Sequence, residues 1–116
     1  MMVRFCKAVK PAQDWLALGG TYLVLSIEPG FGGAHYRIVP PGDDEPVLFA
    51  AALFEIVDGT LSSSWNVCCD NSSGALTFAP KAWCSDGFWE SFYDGEPSAR
   101  ELYKQEVGVL QGAVIE

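Results

Sequence analysis

The hydrophobic period of this chain changes at Pro80, and that change constrains its fold more than any single residue does. Before it, Pro11, Gly19-Gly20, Pro29-Gly30, Pro40-Pro41-Gly42 and Asn71 to Gly74 cut the chain into short runs rich in aromatic and β-branched residues. Such runs bounded by turn formers read as strands. After it, Phe88 with Phe92 and Trp89 with Tyr93 recur at i,i+4, and Ala99, Tyr103, Val107 and Leu110 form one helical stripe. Strands first and helices last make an α+β fold.

The runs can be placed individually. MVRFCKAV alternates apolar and polar residues as a half-buried strand does. In the connection that follows, Trp15, Leu16 and Leu18 are expected to fold back over the core. TYLVLSI, residues 21 to 27, reads as one strand closed by Pro29-Gly30. It should pair antiparallel with AHYRIV, residues 34 to 39, across a glycine-rich turn. Val47 to Phe49 and Phe54 to Val57 flank an alanine-rich turn, and SSWNVCCD with ALTFAP forms a further hairpin. Asp86 is the expected cap of the short helix, Pro97 opens the last one, and Glu96 and Arg100 are spaced as an i,i+4 pair. Phe5, Tyr22, Val24, Leu25, Ile38, Phe54, Ile56 and Trp65 are the expected structural residues.

Gly20 to Leu25, Tyr36 to Ile38, Val47 to Phe49 and Phe54 to Val57 together resemble the layout of an SH3-like small barrel. The resemblance covers residues 2–58 and implies a small antiparallel, partly open barrel or sheet. A hairpin, one short helix and one longer C-terminal helix follow over 59–116. At 116 residues the chain is expected to be a single domain.

Charge narrows the partners. Fifteen Asp and Glu against seven Lys and Arg give a net charge of -8. That balance opposes direct binding to phosphate backbones, which needs clustered basic residues. A negative field instead speeds encounter with a basic protein. The chain shows no signal peptide and no apolar run of membrane-spanning length, so a cytoplasmic protein without a membrane partner is expected.

No catalytic motif is legible. The one histidine, His35, stands beside Tyr36 without a nucleophile-elbow pattern, and GFGG (30–33) lacks the spacing of a phosphate-binding loop. The carboxylates Asp43-Asp44-Glu45 and Asp86, Glu90, Asp94, Glu96 match no calcium-loop spacing. Cys6, Cys68, Cys69 and Cys84 read as buried thiols rather than zinc ligands, because adjacent Cys68 and Cys69 point to opposite faces of a strand. A bridge from Cys68 or Cys69 to Cys84 is conceivable and would matter only in an oxidising compartment. No enzyme activity, cofactor or metal is expected.

The feature that invites function is DGFWESFYDGEP, with four aromatic residues, four carboxylates and no Lys, Arg or His. Phe88 and Phe92 should face a core. Asp86, Trp89, Glu90, Tyr93, Asp94 and Glu96 are the expected partner-binding residues, joined by Asp43, Asp44 and Glu45. The strand-rich front, the hairpin SSWNV and the end APKAWCSDGFWESFYDGEPSARELY resemble the small acidic immunity proteins that bacteria encode beside polymorphic or contact-dependent toxins. That resemblance implies a non-catalytic inhibitor, monomeric or weakly dimeric, that binds one basic toxin domain. The alternatives are a nucleic-acid-mimicking inhibitor, which requires regularly spaced carboxylates along one face, and third a small ligand-binding barrel or enzyme.

Overall fold

The computed structural model describes the backbone of residues 1–115 and the side chains of residues 1–112. It is α+β, and it divides into two compact units, Met1–Leu61 and Ser62–Glu116.

In the first unit the strands are β1 (Met2–Phe5), β2 (Thr21–Leu23), β3 (Ser26–Gly30), β4 (Gly33–Ile38), β5 (Val47–Ala50) and β6 (Phe54–Asp58). β1 lies between β2 and β6, and β4 lies between β3 and β5, all antiparallel. These two groups belong to separate sheets, so the barrel is open. Val3, Phe5, Val24, Leu25 and Ile38 are buried. The Phe5, Tyr36 and Phe49 rings surround Phe54 at centroid distances of 5.7, 5.7 and 6.4 Å.

The run expected as one strand over 21–27 is two. Val24 donates its N–H to Met1 O at 3.0 Å, and Leu25 donates to Arg37 O at 2.9 Å, so consecutive residues serve different sheets. β-rich composition is the same on both sides of that step, and only the hydrogen bonds distinguish them. β3 also runs through Pro29-Gly30 instead of stopping there, pairing Gly30 with Gly33 around a Phe31-Gly32 turn. A Cβ at Gly30 would lie 2.2 Å from His35 Nδ1, so a larger residue there requires the imidazole to move.

Three further expectations are corrected in this unit. β1 ends at Phe5, and a short helix α1 (Ala12–Trp15) forms in the connection. That turn of helix buries Ala12 and Leu16 but leaves Trp15 and Leu18 exposed. Ile56 is 57% exposed, since β6 buries no residue fully and its pairing with β1 slips by one residue near Val57.

The second unit opens with the hairpin β7 (Trp65–Cys69) and β8 (Leu76–Pro80). Its turn closes with Asp70 N–H to Ala75 O and Gly74 N–H to Asp70 O. A 3-10 turn (Lys81–Cys84), α2 (Phe88–Tyr93) and α3 (Pro97–Ile115) follow. On α3 the expected stripe faces inward: Ala99, Tyr103 and Leu110 are buried and Val107 is half-buried.

The cysteines depart from the expectation of buried thiols. Cys68 is bonded to Cys84 across a Cα separation of 6.4 Å, because the 3-10 turn after β8 returns the chain to the hairpin. Cys69 points to the other face of β7 and, like Cys6, is an exposed thiol.

Candidate interaction surface

The acidic aromatic segment folds as two helix ends joined at a tight corner. Gly87 takes a left-handed conformation (φ 78°) and starts α2 with no side-chain cap, so the expected capping role of Asp86 is not realised. A left-handed residue directly before the helix turns the chain more sharply than an Asp cap would require. At the other end Gly95 (φ 83°) donates to Phe92 O and Glu96 donates to Ser91 O, both at 3.0 Å. This is a Schellman closure, and Pro97 then begins α3 with its fixed φ.

Those two turns decide which side chains face outward. Phe88 and Phe92 are buried, while Asp86, Glu90, Tyr93, Asp94 and Glu96 are exposed. Glu90 and Asp94 lie one helical turn apart on a single face. Tyr93 keeps 45% of its surface in solvent beside them. Trp89 is half-buried, with its ring 5.4 Å from Trp83, 4.9 Å from Phe88 and 5.4 Å from Phe92. It is therefore the floor of the surface more than its crest. Arg100 lays its guanidinium 4.0 Å from the centre of the Phe92 ring, an arrangement that leaves a positive charge over an aromatic face. Trp83 is buried, and its Nε1 has no hydrogen-bond partner among the described residues.

Asp43, Asp44 and Glu45 belong to the first unit. The Asp43 carboxylate accepts the N–H groups of Asp44 and Glu45 at 2.8 and 3.2 Å, an Asx turn that fixes the bend before β5. Asp43 and Asp44 are exposed and Glu45 half-buried.

A charged cluster not singled out by the sequence lies on the β3–β4 hairpin. Arg37 is 4% exposed and donates to both oxygens of Glu28, from Nε at 2.6 Å and Nη2 at 2.8 Å. The Ser26 hydroxyl donates to the same carboxylate at 2.6 Å. Burial pulls the Glu28 carboxyl upward, but the hydrogen bonds and charge of Arg37, helped by Ser26 and His35, outweigh it and hold it below its ordinary value. Ser26 stands opposite Arg37 and Glu28 opposite His35, so the ion pair is a cross-strand diagonal. The hairpin register alone would have revealed it.

Other titrating groups have local causes. Burial raises the Tyr36 hydroxyl. Asp58 is lowered by the Thr60 N–H, and Asp70 by the Ser72 hydroxyl and N–H, both as exposed turn contacts. His35 Nδ1 lies 3.2 Å from Gly33 O, to which it can only donate. Among the described residues no three of His, Cys, Asp and Glu cluster as metal ligands, and no helix is long and apolar enough to cross a membrane. No family model, no curated protein and no solved structure matches this chain.

Proposed function

We propose that the chain is a non-catalytic protein-binding inhibitor whose α2 surface engages a basic protein, as an immunity protein engages its toxin. The observation that carries the reading is α2 with its two flanking turns, where Asp86, Glu90, Asp94 and Glu96 are exposed along with a half-exposed Tyr93. Aromatic anchors ringed by charge are the usual composition of a tight interface, and the carboxylates supply the long-range attraction. The net charge of -8 favours a basic partner such as a nuclease toxin domain.

The proposed address is cytoplasmic; the Cys68–Cys84 bond is of the kind that persists in oxidising compartments, while Cys6 and Cys69 are exposed free thiols.

The test is capture of a partner by the tagged protein from its source lysate at low and moderate salt, followed by measured affinity. The reading requires a stoichiometric basic protein retained at moderate salt. The double variant Glu90→Lys/Asp94→Lys should weaken that complex by roughly 2–5 kcal/mol while leaving the melting temperature unchanged. Unchanged affinity in that variant removes the α2 surface from consideration.

A further inference from the structure

The edge strand β7 offers a second surface, independent of α2. Over residues 59–80 the chain carries a single charge, Asp70. β7 stands at the end of its sheet, hydrogen-bonded to β8, and its five register pairs run without a bulge. The other sheet ends are blunted. β2 has three residues, β5 has four and follows Pro46, and β6 carries Glu55 and Asp58 with a slipped register. Natural edge strands are normally protected by charge, proline, a bulge or brevity. Within β7 none of these is present.

Its hydrogen-bond parity shows what the edge can accept. Asp70 donates to Ala75 O, so the 70–75 pair is hydrogen-bonded, and by alternation 68–77 and 66–79 are too. Trp65, Val67 and Cys69 therefore turn their backbone groups away from β8. Trp65 opposite Pro80, which has no N–H, and the Trp65 N–H bond to Ser62 O agree with that parity. Val67 and Cys69 present theirs at the edge. On one face of the hairpin Val67 is 62% exposed and Leu76 47%, beside the exposed Cys69.

We infer that β7 is the contact through which two copies of this chain associate, antiparallel, about a two-fold axis at Val67. In that register the two Val67 residues exchange both backbone hydrogen bonds, and Trp65 faces Cys69. Asn66 faces Cys68, so no charged residue meets its like within the strand. A second copy is the occupant because the strand is self-complementary in this register and because a hairpin whose one charge is Asp70, at its turn, lets two molecules of charge -8 approach without facing carboxylates along the strand. Such a dimer tightens as salt screens the remaining repulsion, opposite to a complex with a basic partner.

The experiment is sedimentation equilibrium of the full, non-reduced chain over a wide concentration range, with amide exchange read at Val67 and Cys69. The expected result is a monomer–dimer equilibrium with protection of both amides that grows with concentration and strengthens at higher salt. Val67→Pro removes an N–H that β8 does not use, so the hairpin survives while the dimer dissociation constant rises at least roughly tenfold. Val67→Lys reproduces that loss without altering φ. Far-UV circular dichroism and an intact Cys68–Cys84 bond report that both variants are folded. A monomer at millimolar concentration overturns the inference. So does a dimer that survives both variants, or a Val67 amide protected only when a different protein is added.

Discussion

Replacing Arg37 with methionine isolates the chemistry of the β3–β4 hairpin. The substitution keeps most of the buried volume but leaves the Glu28 carboxylate without the two hydrogen bonds it receives at 2.6 and 2.8 Å. Breaking one side of a buried ion pair costs about 3–5 kcal/mol. The Glu28 side chain retains 16% exposure, which places the expected loss near the low end, about 3 kcal/mol. The pH dependence gives a sharper signature. With Arg37 present the Glu28 carboxyl is held below its ordinary value of 4.5, so its contribution is present above that value and is lost as pH falls through the lowered one. In Arg37→Met burial is opposed only by the Ser26 hydrogen bond and by His35, so the same carboxyl rises, and the penalty is largest at neutral pH and shrinks as acid protonates Glu28. Urea denaturation at pH 7 and near pH 5 measures both quantities. The double variant Glu28→Gln/Arg37→Met, with no charge left to bury, should recover much of the loss. A cost below about 1 kcal/mol, or one that does not diminish on acidification, would refute the account of this pair.

Removing the Cys68–Cys84 bond by Cys68→Ser/Cys84→Ser opens a loop of sequence separation 16 and should cost roughly 3 kcal/mol by chain-entropy arithmetic, read as a lower urea midpoint. Thiol titration of the freshly isolated, denatured protein should find two free cysteines, Cys6 and Cys69, and four would contradict the bond. Phe92→Ala, at a ring 4.6 Å from Tyr103 and 5.4 Å from Trp89, should cost about 3–5 kcal/mol and shift tryptophan emission. Phe31→Ser at the exposed hairpin tip should change stability by less than about 0.5 kcal/mol, as measured by melting.

What the sequence disclosed follows from how locally each feature is encoded. The 65–80 hairpin, the opening of α3 at Pro97 and its Ala99–Tyr103–Leu110 stripe depend on neighbours within a few residues, and they stand where the spacing put them. The division of 21–27 into two strands did not show, because Val24 and Leu25 look like strand interior in either sheet. Asp86 matched the composition of a cap, yet the conformation at Gly87 took that place. The carboxylates of the α2 surface emerge exposed because a chain with few basic residues has little to pair them with, whereas Trp89 sinks among rings that spacing along one helix could not reveal. Glu28 and Arg37 are nine positions apart, and only the register of a folded hairpin brings them into contact.

The step between Val24 and Leu25 has a consequence for how this chain can change in length. One peptide link holds Val24 to Met1 and Leu25 to Arg37, so it keeps count for two ladders at once. An added residue there would reverse the facing of every side chain in whichever strand absorbed it, either Thr21–Leu23 or Ser26–Gly30, and in the second case would pull Arg37 out of step with Glu28. The tips at Phe31-Gly32 and Asn71–Gly74 carry no such double count, and they can lengthen without any strand noticing. Variation in length among chains built on this plan belongs at those tips, with the 24–25 step kept to the residue.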